Sequence, residues 1–135
     1  MIVDPALLYV EDDPRSRKVM EMMLKLGMKL SHVTIFDDSS NFVERVQAIA
    51  PRPDIIFLDI HVKPHSGFEL LEMLRRLDQF KQVPIVALTA SVMNEEVHTL
   101  RTAGFDGCFS KPLDIDTFPD NLKRVLDGEH IWRII

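Results

Sequence analysis

Five times along this chain, a short run of β-forming residues gives way to a longer run of helical period. The strand candidates are Ala6–Val10, Val33–Phe36, Asp54–Leu58, Pro84–Leu88 and Asp106–Phe109. The helix candidates carry apolar residues at i, i+4 and i+7: Val19/Met23/Leu26, Phe42/Val46/Ile49, Leu70/Leu74/Leu77, Met93/Val97/Leu100 and Phe118/Leu122/Val125. Each such stripe needs an apolar surface to cover. The third and fourth strands are almost wholly apolar, as strands buried on both faces must be. Right-handed strand–helix–strand crossovers then give a parallel sheet between two helical layers. The expected architecture is a doubly wound (βα)5 domain, strand order 2-1-3-4-5, formed by residues 1–135 as one unit. Local signals agree. Asp13-Pro14 reads as an N-cap with proline at the first helical position, and Ser66 with Glu69 has capping-box spacing. Gly27, Gly104 and Gly128 stand where left-handed C-caps are needed.

Composition narrows the function. A net charge of −5, from 16 Lys plus Arg against 21 Asp plus Glu, is wrong for a general nucleic-acid or anionic-membrane binder. With Cys108 as the single cysteine, no internal disulfide forms, and no Cys/His set has zinc-ligand spacing. The apolar runs Ala6–Val10 and Ile55–Leu58 are far too short to span a bilayer, and Met1–Pro5 has no basic start of a signal peptide. A cytoplasmic protein, monomeric or weakly dimeric, is expected.

In a sheet of this order the ligand crevice opens at the strands' carboxyl ends, between strands 1 and 3. Strand 1 runs into Glu11-Asp12-Asp13 and strand 3 into Asp59. Like charges so close raise one another's pKa unless a cation neutralises them, and an all-oxygen set suits a hard ion, Mg²⁺ above all. Asp13 is read mainly as the helix cap, and Asp37-Asp38 as caps of helix 2 outside the crevice. Thr89 at the end of strand 4 and Lys111 after strand 5 point to the same place. A carboxylate nucleophile, a divalent cation, a hydroxyl and an ammonium together describe a phosphoryl site.

These residues resemble the receiver domain of two-component response regulators, over nearly the whole chain. The resemblance rests on Leu8-Tyr-Val-Glu-Asp-Asp-Pro-Arg-Ser-Arg17, Ile56-Phe-Leu-Asp59 with Gly67, Ala87-Leu-Thr-Ala90, and Gly104-Phe-Asp-Gly-Cys-Phe-Ser-Lys-Pro-Leu113. It implies a flavodoxin-like three-layer fold and a phosphorelay switch in which Asp59 accepts a phosphoryl group from a histidine kinase or phosphotransfer protein. Asp12 would bind Mg²⁺ directly, Glu11 through water, and the His61 backbone carbonyl would complete the protein ligands. Thr89 would bond a phosphoryl oxygen and Lys111 would pair with the group, the bond to Pro112 often being cis in the family. A downstream protein would read the surface of helix 4, strand 5 and helix 5. The implied chemistry is self-phosphorylation and autodephosphorylation rather than turnover of a free substrate.

The chain departs from the family at two points. Cys108 stands where a rotating Tyr or Phe is usual, and strand alternation sends neighbouring Phe109 to the opposite face. The proline after the phosphoacceptor is Pro64, one residue later than is common. His61, at a position that in the family tends to tune dephosphorylation, reads either as an exposed imidazole or as a tuning group, and Ser91 leaves the same two readings. Met20 and Met22 are expected on the surface and Met23 in the core. Three rival readings are weaker. An aspartate-nucleophile phosphatase wants a second acid where His61 stands. A nucleotide-binding fold would be repelled by Glu11-Asp12-Asp13. An interaction module that no longer takes phosphate has no need of Asp12, Asp59, Thr89 and Lys111 together.

Overall fold

The computed structural model of the chain describes residues 4–90 and 93–132. Ten elements alternate: β1 (Leu7–Val10), α1 (Pro14–Glu21), β2 (Val33–Phe36), α2 (Phe42–Gln47), β3 (Ile55–Asp59), α3 (Gly67–Arg75), β4 (Ile85–Thr89), α4 (Asn94–Ala103), β5 (Gly107–Ser110) and α5 (Phe118–Leu126). All strand pairs are parallel, in the order β2-β1-β3-β4-β5. Alternation along each strand splits the interior into two cores. Leu8, Val10, Ile56, Leu58, Ile85, Ala87 and Cys108 face α2, α3 and α4. Leu7, Tyr9, Ile55, Phe57, Val86, Leu88 and Phe109 face α1 and α5. Cys108 and Phe109 therefore do part to opposite faces, and the Phe109 ring packs on Phe57 and Phe118.

Several strands start one residue later than the hydropathy pattern suggests, because polar groups and a proline occupy the starts. The Asp54 carboxylate accepts from Ala6 N at 2.8 Å, the Asp106 carboxylate accepts from Ile85 N at 2.9 Å, and Pro84 has no N–H to give. Below β4 and β5, Arg75 closes the amino-terminal end of the sheet. Its guanidinium donates to the carbonyls of Phe80 and Val83 at 3.0 and 2.9 Å and pairs with Asp106 at 2.6 Å.

The helical stripes of α2, α3 and α5 pack as the periodicity requires. Helix 1 does not. A π-helical turn, Met22–Gly27, follows α1 and rotates the register, so Met20, Met23 and Leu24 are buried. Val19, Met22 and Leu26 face solvent instead, Leu26 at 73 % exposure. Met20 is thus core rather than surface, and Gly27 lies inside the π turn without a positive φ; Lys29 takes the left-handed conformation there. Gly104 and Gly128 are left-handed as expected. Met93 is the N-cap of α4 and 69 % exposed, so only Val97 and Leu100 of its stripe are buried.

Candidate phosphoryl-acceptor site

The site forms where β1, β3, β4 and β5 end, and each side chain is set by its strand. Helix 1 begins as Asp13 accepts from Ser16 N at 3.0 Å, which turns this carboxylate away from the crevice and leaves Glu11 and Asp12 facing it. One carboxylate oxygen from each of Glu11, Asp12 and Asp59 lies within 4.8 Å of the others. Asp59, the last residue of β3, is 4 % exposed and Glu11 is 0 % exposed, whereas Asp12 is open to solvent and makes no hydrogen bond or ion pair among the described residues.

Glu11 is held from three sides. The Tyr9 hydroxyl donates to Oε1 at 2.6 Å, Lys111 Nζ donates to the same oxygen at 2.9 Å, and Asp13 N donates to Oε2 at 3.2 Å. Lys111 Nζ also lies 3.8 Å from Asp59 Oδ1, and His61 N donates to that oxygen at 3.2 Å. Burial, then the hydrogen bond and charge of Glu11, push the Asp59 carboxyl up to about 7. Burial opposes ionisation of Glu11 as well, but hydrogen bonds from Asp59, Tyr9 and Lys111 outweigh it and hold Glu11 below the ordinary glutamate range. Lys111 stays charged: burial works against its charge, and Glu11 and Asp59 more than restore it. Two buried carboxyls share one ammonium and one proton, and the unpartnered Asp12 stands beside them. A divalent cation fits such an oxygen set, since it would replace the proton and give Asp12 a partner.

Thr89, the buried last residue of β4, pairs across the sheet with Ser110, and its carbonyl accepts from Lys111 N at 2.9 Å. The Lys111–Pro112 bond is cis. The loop after Asp59 is held by two devices. A Cβ on Gly67 would stand 2.7 Å from Ile60 Cα and 2.9 Å from the Asp59 carbonyl oxygen, so glycine alone fits where α3 starts. Fully buried Ser39 accepts from His65 N at 2.7 Å and donates to His65 O at 2.8 Å, binding the β2–α2 loop to this one. Both sides of the expected capping box of α3 are present, from Ser66 and Glu69.

One expectation needs correction. Neither Asp37 nor Asp38 caps α2. Its N-cap is Asn41, and Asp38 accepts from Ser40 N and Arg45 Nη1 to organise the loop. Lys111, expected in the same crevice, reaches Glu11 across 100 residues of sequence. Sequence reading missed Tyr9 and Ser39 as supports. Tyr9 was legible in principle, since strand period places its hydroxyl on the same face as Glu11 two residues on. Ser91 lies outside the described residues.

The family model of the response regulator receiver domain matches residues 7–123. The chain belongs to that family. The receiver aligns at 30 % identity over 93 % of its length with a nitrate/nitrite response regulator protein homolog of Haemophilus influenzae, covering 58 % of that protein. It is 32 % identical over 56 % of its length to the polar-differentiation response regulator DivK of Brucella anthropi, covering 61 % of it. It therefore spans about three-fifths of these relatives. Among solved structures, chemotaxis response regulator CheY4 of Vibrio cholerae superimposes with a TM-score of 0.78 at 26 % identity, over 90 % of this receiver and 98 % of that chain. The receiver domain of sensor histidine kinase PA1611 from Pseudomonas aeruginosa, described with magnesium in its active-site cleft, gives 0.78 at 25 %, over 92 % and 98 %. Relatives also include the histidine kinase BarA of Escherichia coli, of which the receiver covers 13 %. The receiver is thus a domain of two-component signalling, a signalling module by family, with an acidic cluster in its crevice. None of its helices, among the described residues, is long and apolar enough to cross a membrane.

Proposed function

We propose that this receiver accepts a phosphoryl group on Asp59 from a histidine kinase or phosphotransfer protein, with Mg²⁺ held by Asp12, Asp59 and the His61 backbone carbonyl, and by Glu11 through water. The observation that carries the reading is the buried Asp59 carboxyl at the end of β3, within ligating distance of Glu11 and Asp12 and 3.8 Å from Lys111 Nζ. An Asp59 carboxylate oxygen attacks phosphorus; the new O–P bond forms as the P–N bond of the donor phosphohistidine breaks, and the imidazole nitrogen takes the electron pair. When bound, Mg²⁺ neutralises charge on the carboxylate and phosphoryl oxygens. Lys111 swings from Glu11 to a phosphoryl oxygen, and the Thr89 hydroxyl donates to another. Hydrolysis of the acyl phosphate resets the switch, and the exposed His61 imidazole beside Asp59 tunes its rate. Phosphorylation biases an inactive–active equilibrium that a downstream protein reads on the α4–β5–α5 surface.

The test is intact mass after incubation with Mg²⁺ and a small acyl-phosphate donor, beside Asp59→Asn. One phosphoryl adduct on the wild type, absent from the variant and dependent on Mg²⁺, is the expected result. A folded protein that takes no adduct refutes the proposal.

A further inference from the structure

Beyond α5 the chain turns back along the free edge of the sheet. Cys108 N donates to Ile131 O at 2.9 Å, and Trp132 pairs with Cys108 in a single parallel bridge. Neighbouring residues part as they do in a strand: Ile131 packs on the α1/α5 core and Trp132 on the α2–α4 core. The Arg101 guanidinium of α4 lies 4.9 Å from the Trp132 ring centroid, so the indole ties α4 to β5. Gly107 is what permits this approach. A Cβ there would meet the Ile131 carbonyl oxygen at 2.8 Å, and the next two nearest heavy atoms, at 3.5 and 3.7 Å, also belong to Ile131. A glycine fitted to one backbone segment marks a built contact rather than a chance one.

We propose that Ile131–Trp132 is a strap that restrains β5 and α4 in the unphosphorylated protein and is loosened by phosphorylation; this rests on the phosphoryl-acceptor reading of Asp59. Lys111 lies three residues beyond Cys108 on the same run of chain. Its ammonium sits on Glu11 at 2.9 Å, with Asp59 at 3.8 Å. Phosphorylation replaces the single carboxylate charge of Asp59 with about two charges on the phosphoryl oxygens and draws that ammonium across. That pull is exerted on the residue that directly follows β5, so it loads the end of the strand. One edge of β5 is locked in the sheet by its ladder with β4. On the other edge, among the described residues, the strap holds it with a single bridged pair and two half-buried side chains against the four pairs of that ladder, so the displacement falls on the strap. Its release uncovers the Cys108 N–H and the seat of the indole on the surface a partner reads.

Trp132 is the chain's single tryptophan, so its fluorescence reports the strap alone. The experiment measures acrylamide quenching of Trp132 and hydrogen exchange at the Cys108 amide, in wild type and Gly107→Ala, with phosphorylation followed by intact mass. Gly107→Ala is expected to raise quenching and speed exchange at Cys108 at least tenfold while Val86 and Leu88 stay protected. Phosphorylated wild type is expected to move the same way. Since coupling is reciprocal, Gly107→Ala also reaches a higher phosphorylated fraction at a fixed donor concentration. A wild-type adduct with unchanged quenching overturns the strap and spares the Asp59 reading. So does an opened strap in Gly107→Ala with an unchanged phosphorylated fraction. Absence of any wild-type adduct overturns both.

Discussion

The proton shared by Glu11 and Asp59 makes a quantitative demand on stability. Asp59 titrates near 7 in the folded protein against 3.8 for an ordinary aspartate. A group whose folded value is raised favours the folded state below its unfolded pKa and loses that advantage as pH rises through the folded one. In the absence of divalent cations, ionising Asp59 in place therefore costs on the order of 4 kcal/mol by pH 8, from 1.36 kcal/mol per pKa unit. Asp59→Asn mimics the protonated acid: its amide N–H₂ donates to Glu11 and it never ionises. In chelator, the variant should exceed wild type by about 4 kcal/mol at pH 8, roughly 15 °C in Tm for a domain of this size. The gap should shrink steadily between pH 8 and pH 4 and be near zero at the lower limit. Saturating Mg²⁺ should close it from the other side, since the cation binds the ionised wild-type site and stabilises it by mass action. Urea melts of both proteins at pH 4, 6 and 8, with chelator and with Mg²⁺, measure all of this. A difference between the two proteins that does not change with pH would refute the shared-proton account.

Three other outcomes are expected. Lys111→Met leaves the fully buried Glu11 without its cation and should cost about 3–5 kcal/mol in urea unfolding, with loss of stable phosphorylation by mass. Gly67→Ala forces the Asp59–Ile60 backbone aside and should destabilise by about 1–3 kcal/mol while slowing phosphorylation, read by calorimetry and by adduct formation with time. Cys108 is buried and its thiol is pushed up to about 11, chiefly by burial, so a thiol reagent at pH 8 should modify it in urea and leave the folded protein essentially unlabelled.

The sheet was legible because each strand's burial is written in its own residues. Ile55–Leu58 and Ile85–Leu88 are apolar on both faces, and five strand–helix units leave few ways to order them. The acids were legible for a related reason: residues at strand ends share one crevice whatever their sequence separation. Helix 1 was not, because a single added residue per turn at Met22–Gly27 rotates the stripe, and no periodicity of 3.6 anticipates it. Asp38 misled because a carboxylate before a helix can fold its own loop as readily as cap the helix, and here Ser40 and Arg45 compete for it. The Tyr9–Glu11–Lys111 set needs distances, which hydropathy does not supply. The strap is likewise a matter of where the segment after α5 returns, and Gly107 discloses it only once Ile131 is seen against it.

The Arg75 clamp fastens the foot of β4 and β5 and leaves their head to the site. At the foot, one guanidinium binds the turn before β4 to the start of β5 through Phe80, Val83 and Asp106, a staple with charge at one end and carbonyls at the other. At the head, the same two strands end in Thr89 and Ser110, and Lys111 follows directly, where an ammonium chooses between acids. Strands pinned at one end and pulled at the other do not translate; they splay. A small push at Asp59 is therefore felt most at the tips of β4 and β5 and fades toward Arg75, much as a tuning fork moves at its tines and is still at its stem.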